Sequence, residues 1–246
     1  MRIAVISDIH GNDLAFAAVV ADYQAHGVDT VVCLGDAVQG GAQPAEVVRR
    51  LRELNIPVVL GNADDIVIHG EESEDEEPLD EYTLAVREWQ LTKLSAGDLA
   101  FIATFPKTIE IPLPNGKRLL CGHGSPQSFN HFIEPHVPDD DVRKMLGPID
   151  SAMVCGGHTH LQQMRQLGDT FFFNPGSVSL PDRRDRTGDL RWVNRWAEYA
   201  VLTVEEDGLE SLEFRRVPYD VDQVVATINA SGMPNAQKLA SYYRTT

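Results

Sequence analysis

The first 62 residues alternate short apolar runs with segments of helical periodicity, and no other feature of the sequence constrains the fold as strongly. Apolar runs of β type occupy residues 3–6, 30–34 and 57–60, whereas alanine, leucine and valine recur at helical spacing over 12–26 and 44–54. This strand–helix–strand–helix–strand order is typical of right-handed crossovers between parallel strands. The sequence therefore predicts an α/β fold in which helices cover a sheet.

The rest of the chain continues this mixture without an internal repeat or a low-complexity linker. We predict a hairpin about Asp207-Gly208, two C-terminal helices, strands at 108–111, 118–121, 152–155 and 170–173, and helices at 82–94, 98–104 and 139–146. The acidic stretch 71–81 is expected to be a solvated loop or a lid near the functional site. With 246 residues, of which 43% are hydrophobic, the chain is long enough for one sizeable core, and we predict a single domain over residues 1–246.

A short polar cluster follows each of five apolar runs. The clusters are Asp8-Ile9-His10, Gly35-Asp36, Gly61-Asn62, Gly122-His123 and Gly157-His158-Thr159-His160. Because sites in open α/β sheets lie outside the carboxyl ends of the strands, we expect these side chains to meet in one pocket. Alternate residues of an extended chain share a face, so Asp8 should point the same way as His10, and His158 the same way as His160.

The ordered set predicts a metal centre, although each cluster alone is more typical of a turn or a paired polar group. The set contains four of the eight histidines. It combines imidazole nitrogen with carboxylate and amide oxygen, which suits manganese, iron, zinc, cobalt or nickel better than calcium or magnesium. Asp36 lies between the two groups of ligands in sequence, and one carboxylate can bridge two divalent ions about 3.5–4 Å apart.

The formal net charge of −16 limits the partners. So acidic a surface repels nucleic acid and anionic membranes, and we expect neither as a partner. Two divalent ions contribute about +4, whereas Asp8, Asp36 and one hydroxide contribute about −3, which leaves a local positive charge of about +1. The predicted substrate is therefore a small anion drawn to the centre itself.

The three cysteines and the N-terminal segment indicate the cellular compartment. Cys33, Cys121 and Cys155 lie in or at the end of apolar runs and fit no thiolate cluster, so we interpret them as buried apolar residues in a reducing compartment. The N-terminal apolar run is too short for a signal peptide, and no later run is long enough to span a bilayer. We therefore expect a cytoplasmic protein.

The five clusters, in this order, resemble the motif set of the calcineurin-like metallophosphoesterase superfamily. Two segments resemble its small bacterial phosphodiesterase branch: Ser7-Asp8-Ile9-His10-Gly11-Asn12 and Asn174-Pro175-Gly176-Ser177. The resemblance covers residues 1 to about 205 and implies a four-layer αββα sandwich, with two mixed β-sheets flanked by helices. It also implies a binuclear metal-dependent hydrolase of small phosphate esters, in particular a phosphodiesterase. A phosphomonoesterase, a nucleotide pyrophosphatase and a non-catalytic metal-binding scaffold remain the alternatives.

The resemblance further implies which residues hold the two metals. The first ion would be held by Asp8, His10, Asp36 and His160. The second ion would be held by Asp36, Asn62, His123 and His158. A hydroxide bridging the ions would attack phosphorus, with Asp36, Asn62 and His123 as the catalytic residues and Asn62 also in contact with the substrate.

The sequence departs from the family where a histidine usually follows the metal-binding asparagine, because Ala63 stands there. Alanine cannot donate a proton, and such help is typically worth about 10²–10⁴ in rate. His131 and His136 are candidate substitutes, or else ordinary exposed loop histidines. The Asp-Arg-Gly sequence of the protein Ser/Thr phosphatase branch is absent after Gly35-Asp36, which disfavours protein phosphatase activity.

Arginines near residue 184 are a second set of candidate substrate contacts. Arg183 and Arg184 follow the Asn-Pro-Gly-Ser segment, and a guanidinium group suits phosphate oxygens. Neighbouring aspartates offer an alternative, namely local ion pairs. The predicted substrate contacts are therefore Asn62, His131, Arg183 and Arg184.

Overall fold

The computed structural model describes residues 1–70, 79–180, 182–184 and 190–243, with backbone alone at 182–184 and 190–193. Most of the predicted acidic loop or lid, residues 71–78, lies outside the described residues. The strands are β1 Arg2–Ile6, β2 Thr30–Cys33, β3 Ile109–Pro112, β4 Arg118–Cys121, β5 Met153–Cys155, β6 Gln163–Leu167, β7 Thr170–Asn174, β8 Asp182–Arg184, β9 Leu190–Val193, β10 Trp196–Glu205 and β11 Gly208–Pro218. The helices are α1 Asp13–Ala25, α2 Pro44–Glu53, α3 Asn62–His69, α4 Glu81–Leu91, α5 Ala96–Ile102, α6 Asp139–Leu146, α7 Val221–Ala230 and α8 Ala236–Tyr242.

Two mixed sheets form the centre of the fold. The first has the strand order β11-β10-β1-β2, in which β1 and β2 are parallel and β10 is antiparallel to both of its neighbours. The second has the order β3-β4-β5-β7-β6, in which β4, β5 and β7 run parallel. The loops after β1, β2, β4 and β5 therefore leave the carboxyl ends of parallel strands, where the predicted ligands are located.

The sheets pack face to face, and helices cover their outer faces. Val5 of β1 and Leu119 of β4 belong to the apolar core between the sheets. Phe16 of α1 packs with the opposite face of the first sheet, and Val142 of α6 packs with the outer face of the second sheet beside Phe172. The predicted four-layer αββα sandwich is confirmed.

Three further local features complete the description of the fold. The side-chain oxygen of Asn12 accepts the backbone N–H of Ala15 and so caps α1. The cysteines are buried and free. Across the described ranges, no helix combines the length and the apolar character needed to span a bilayer.

The predicted strand at 57–60 is wrong. Only an isolated bridge forms there, between Cys33 and Val58. Pro57 has no N–H to extend the pairing, and Val59 is the residue whose N–H donates to β2, at the carbonyl of Cys33. The chain then enters α3 directly at Asn62, a helix that the sequence pattern did not predict, since Gly61-Asn62 was interpreted only as a ligand-bearing turn.

Asp22 on α1 fastens that helix to the first sheet, and its replacement should cost measurable stability. Its carboxylate accepts the Tyr199 hydroxyl (2.5 Å) and the Arg215 Nε (2.7 Å). Burial raises the pKa of Asp22, but hydrogen bonds from Arg215 and Tyr199 outweigh it, so the pKa lies below its usual value. Asp22→Asn should therefore lower the free energy of unfolding by about 1–3 kcal/mol at pH 7.

The depressed pKa also gives this loss a pH dependence. The contribution of a carboxylate with a lowered folded-state pKa is present above its unfolded value of about 4 and fades as the pH falls through the folded value. Urea unfolding at pH 7 and pH 3 should show the gap between wild type and Asp22→Asn shrinking at pH 3. Glu53→Gln, which alters the exposed pair with Arg49, is the control and should change little at either pH.

Candidate metal centre

The predicted ligands converge where the two sheets present their strand ends. Two groups of side chains have their ligand atoms within 4.8 Å of one another: Asp8, His10 and His160, and Asp36, His123 and His158. Asn62, at the first turn of α3, joins the second group, because its Oδ1 lies 3.1 Å from His123 Nε2. The structure thus brings together all seven side chains of the predicted ligand set.

The first group has the spacing of atoms that share an ion. His10 Nε2 lies 3.2 Å from His160 Nε2, and His160 Nε2 lies 3.4 Å from Asp8 Oδ1. Ligand atoms about 2.1 Å from one metal, at angles of about 90–110°, are about 3.0–3.4 Å apart. Asp8 Oδ1 is also buried without a hydrogen-bond partner among the described residues, so a cation would satisfy an otherwise unpaired oxygen.

The second group has the same spacing. His123 Nε2 lies 3.2 Å from His158 Nδ1 and 3.3 Å from Asp36 Oδ2. The set of two imidazole nitrogens, one carboxylate and one amide oxygen fits a divalent transition metal. The residues present therefore fit two ions, one in each group.

Asp36 stands between the two groups. Its Oδ2 lies 3.3 Å from His123 Nε2 in one group and 3.7 Å from His10 Nε2 in the other. Its Oδ1 faces away and accepts the backbone N–H of Ala63 at 2.9 Å. One oxygen of this carboxylate is thus directed at both groups, which is the position of a bridging ligand.

Backbone carbonyls fix three of the histidine rings. The Nδ1–H groups of His10, His123 and His160 donate to the carbonyls of Gln39 (2.7 Å), Leu34 (2.8 Å) and Leu180 (2.9 Å), respectively. Since a carbonyl only accepts, each Nδ1 carries a proton, which leaves Nε2 as the ring nitrogen that can hold a metal ion. His158 has the opposite orientation, with Nδ1 toward His123.

The ligand loops adopt left-handed backbone conformations that the sequence reasoning did not anticipate. Positive φ values occur at Asp8 (57°), His10 (44°), Asp36 (51°), His158 (65°) and His160 (56°). The expectation that alternate residues of an extended chain direct these side chains is therefore wrong, although the pairs do converge. Such conformations are unfavourable for residues other than glycine, cost about 1–3 kcal/mol each and cluster at functional sites.

Hydrogen bonds between neighbouring loops hold this strained backbone. The N–H of Asp8 donates to the carbonyl of Gly35 (3.0 Å), and the N–H of His10 donates to the carbonyl of Asp36 (2.9 Å). The loops after β1 and β2 are therefore locked to each other. This pairing of loops positions the first group of candidate ligands against the Asp36 carboxylate.

The electrostatics of the centre favour cations. Burial raises the pKa of Asp36, but the nearby His123 and His10 lower it by more than burial raises it. The carboxyl therefore has a pKa well below its usual value. Burial also raises the pKa of Asp8, but the nearby His160 outweighs this effect, so the pKa of Asp8 is lowered as well. Burial and the nearby His123 lower the pKa of His158 to about 3. The centre therefore offers two ionised carboxylates and, at His158, a neutral imidazole.

Asp64 supports the centre and was missed by the sequence reasoning. Its carboxylate is fully buried and accepts the N–H groups of Ala37 (3.0 Å), Val38 (3.1 Å) and Gly61 (3.4 Å). It thereby fastens the loop that carries Asp36 to the start of α3. Burial, followed by the charge of Asp36, raises its pKa to about 7. An acidic residue at the third position of a helix is a capping signal that the sequence did contain.

Phe132 is a second residue that the sequence reasoning missed. Its ring is 57% exposed, which is unusual for phenylalanine, yet it lies over the His158 ring with 4.1 Å between the ring centroids. An exposed aromatic face therefore adjoins the second group of ligands. No pattern in the sequence distinguished this residue from other loop phenylalanines.

The other residues that were predicted to contact the substrate or to donate a proton are two loop histidines and two arginines. His131 Nδ1 lies 2.8 Å from Ser125 Oγ, and exposed His136 lies 3.6 Å from Glu134. Among the described residues, neither histidine forms a hydrogen bond or ion pair with a ligand side chain. The backbone of Arg183 and Arg184 lies in β8, paired with β9, and their side chains lie outside the described part of the structure.

Two adjoining ligand groups at the strand ends of a two-sheet sandwich are the architecture of a metallophosphoesterase. A family model described as the calcineurin-like phosphoesterase superfamily domain matches residues 1–207. The chain therefore belongs to the calcineurin-like phosphoesterase superfamily, a family of metal-dependent hydrolases.

Individual relatives agree with this assignment. The chain is 29% identical over 240 residues to the uncharacterized protein MJ0912 of Methanocaldococcus jannaschii, covering 94% of this chain and 93% of that protein. It is 28% identical over 191 residues to phosphodiesterase YfcE of Escherichia coli K12, covering 74% and 81%. A crystal structure of a metallophosphoesterase from Sphaerobacter thermophilus superposes with a TM-score of 0.73 at 27% identity, covering 99% of this chain and 98% of that one.

Proposed function

We propose that the protein hydrolyses small phosphate esters, specifically phosphodiesters, with two divalent transition-metal ions. The observation that carries this proposal is the position of Asp36, whose Oδ2 faces both groups of ligands. The similarity to a phosphodiesterase at 28% identity supports the preference for diesters. Manganese, iron, zinc, cobalt and nickel all suit the mixed nitrogen and oxygen ligands.

The residues divide between the two ions as the family resemblance implies. The first ion would be held by Asp8, His10, Asp36 and His160, and the second by Asp36, Asn62, His123 and His158. When bound, such a pair activates water and stabilises the charge that develops on the phosphoryl group. The chain contributes two ionised carboxylates, fixed imidazole tautomers and a backbone locked by loop-to-loop hydrogen bonds.

Substrate binding rests on groups next to the ligands. As the family resemblance implies, the amide of Asn62 would contact a phosphoryl oxygen, and the exposed Phe132 ring offers an apolar surface beside His158. Ala63 is only 6% exposed and donates no proton, so esters with good leaving groups should react fastest. His131, Arg183 and Arg184 stay candidates for further phosphate contacts.

The expected substrates are small, because the acidic surface of the protein repels large anionic partners. A net charge of −16 disfavours nucleic acid and anionic membranes as partners. Attraction is confined to the centre, where bound ions would outweigh the charge of Asp8 and Asp36. A compact diester can reach this centre without lying along the acidic surface.

The proposed function is tested by hydrolysis of nitrophenyl esters after the metal is removed by chelation and manganese is added back. We expect turnover of bis(p-nitrophenyl) phosphate that depends on the added metal and exceeds turnover of p-nitrophenyl phosphate. Faster hydrolysis of the monoester would refute the diester preference in favour of a phosphomonoesterase. Metal binding by calorimetry without hydrolysis of either ester would favour a non-catalytic scaffold.

A further inference from the structure

One of the candidate metal-binding histidines lacks the hydrogen bond that fixes the other three. His10, His123 and His160 each donate Nδ1–H to a backbone carbonyl. His158 instead directs Nδ1 toward His123 Nε2, at 3.2 Å, and its buried Nε2 has no hydrogen-bond partner among the described residues. No hydrogen bond on the outer side of this ring therefore fixes its orientation.

Rotation of an unfixed imidazole ring at this position would remove a ligand atom. The χ2 torsion of histidine is broad and roughly two-fold, so either edge of the ring can face the same way. A half turn of the His158 ring would replace Nδ1 by a carbon atom at the second group of candidate ligands. Contacts that orient a ligand from behind are typically worth about 10–100-fold in metal affinity.

The aromatic ring of Phe132 packs directly against His158. The two ring centroids are 4.1 Å apart and the ring planes are tilted by 57°. The His158 ring also contacts the His123 ring, with 5.0 Å between centroids. Phe132 is 57% exposed, so burial of its own surface does not explain its position. The contact with His158 is what the position of this side chain provides.

The residues on either side of Phe132 are anchored, so the ring is held in place. His131 Nδ1 lies 2.8 Å from Ser125 Oγ, and Ser125 follows the candidate ligand His123 by two residues. Ile133 is buried in the apolar core on the outer face of the second sheet. The loop after β4 therefore carries one candidate ligand and, further along, a fixed ring that packs on another.

We propose that Phe132 is a positioning residue that holds the His158 imidazole with Nδ1 toward the second metal ion. The inference rests on the proposed function, because it takes the second group to hold an ion. Packing by a flat, anchored ring would do for His158 what a backbone carbonyl does for each of the other three histidines. The two loops that supply His123 and His158 would thereby be matched to each other.

Replacement of Phe132 should weaken one metal site selectively. Phe132→Ala should lower the affinity of one of the two manganese sites by about tenfold or more and leave the other nearly unchanged. Equilibrium dialysis measures the manganese bound per chain at graded concentrations of free manganese, which requires no turnover. Phe132→Tyr keeps the flat ring and should bind both ions as the wild type does.

Leu209→Ala is the matched control for the loss of an exposed apolar side chain. Leu209 is 37% exposed and pairs with Val204, whose N–H donates to the carbonyl of Met1. It therefore lies at the amino end of β1, opposite the ligand loops, and its replacement should leave both affinities unchanged. Melting temperatures establish that each variant is folded. Phe132→Leu, which lacks the flat ring, should share the defect and decides the question if Phe132→Ala does not fold.

Double substitutions test whether Phe132 acts through His158. When His158→Ala is already present, no ring is left to position, so adding Phe132→Ala should change manganese affinity by less than about twofold. When His160→Ala disables the first group instead, Phe132→Ala should still weaken the remaining site by about tenfold. A general effect of Phe132 on the structure would lower the affinity equally in both cases.

The outcomes separate this inference from the proposed function. If the wild type binds fewer than two manganese ions per chain, the proposed binuclear function fails, and the inference that rests on it fails too. If the wild type binds two ions and Phe132→Ala binds both as tightly, only the positioning role fails. Equal losses with and without His158→Ala would also overturn that role. Unchanged metal binding with a raised KM for bis(p-nitrophenyl) phosphate would overturn it as well, since Phe132 would then be a substrate contact.

Discussion

Asp36→Asn should reduce phosphodiester hydrolysis by at least about 10³-fold and weaken metal binding by at least about 10²-fold. The change removes a negative charge from the one carboxylate that faces both groups of ligands, at 3.3 Å from His123 Nε2 and 3.7 Å from His10 Nε2. The amide that replaces it is a weaker ligand for a divalent ion and a poor bridge between two. Loss of one residue should therefore affect both metals.

The same substitution should leave the fold nearly intact. Asparagine has the shape of aspartate, and its carbonyl oxygen can still accept the N–H of Ala63 that Asp36 Oδ1 accepts at 2.9 Å. The measurements are metal content after dialysis, turnover of bis(p-nitrophenyl) phosphate and the far-ultraviolet circular dichroism spectrum. Asp98→Asn, an equivalent change on α5 in a carboxylate bound to Ser95 and Arg52, is the control and should retain full activity. Full activity in Asp36→Asn would contradict the proposed binuclear centre.

The fold was predictable where local signals and tertiary structure agree. Helix α6 occupies residues 139–146 as predicted, because three aspartates in its first turn and two basic residues in its last turn suit the helix dipole. The hairpin of β10 and β11 was predicted from Asp207-Gly208. The segment 57–60 has the composition of a strand, but Pro57 has no N–H to extend the pairing, and the segment forms only one bridge.

The ligand set was predictable because each member follows an apolar run, but the way it is held was not. The positive φ values at Asp8 and His158 occur where their N–H groups donate to loops distant in sequence, at the carbonyl of Gly35 and the carboxylate of Asp8, respectively. The position of Phe132 over His158 likewise depends on how the loop after β4 folds back. Motif order therefore predicts which side chains converge, whereas contacts between loops determine the geometry in which they do so.

Gly61→Ala should be strongly damaging, because the added methyl group would displace Asp36. Its φ of −94° is open to any residue, so glycine is needed here for space and not for conformation. A Cβ at this position would overlap both Oδ1 and the backbone nitrogen of Asp36. We expect the free energy of unfolding to fall by about 3 kcal/mol. A displacement of Asp36 by about 1 Å should reduce turnover by about 10²-fold.

Gly97→Ala provides the matched comparison for this prediction. Gly97 lies in α5, and a Cβ there would meet only ordinary contacts, at 3.7 Å from Ser95 Oγ and 3.9 Å from Arg52 Nη2. Alanine is favoured over glycine within a helix, so this variant should be more stable by about 0.5–1 kcal/mol with unchanged turnover. Urea unfolding and diester hydrolysis measure both variants. If Gly61→Ala resembled Gly97→Ala, the start of α3 would not fix the Asp36 carboxylate, and its placement would have to depend on Asp64 and the loop after β2.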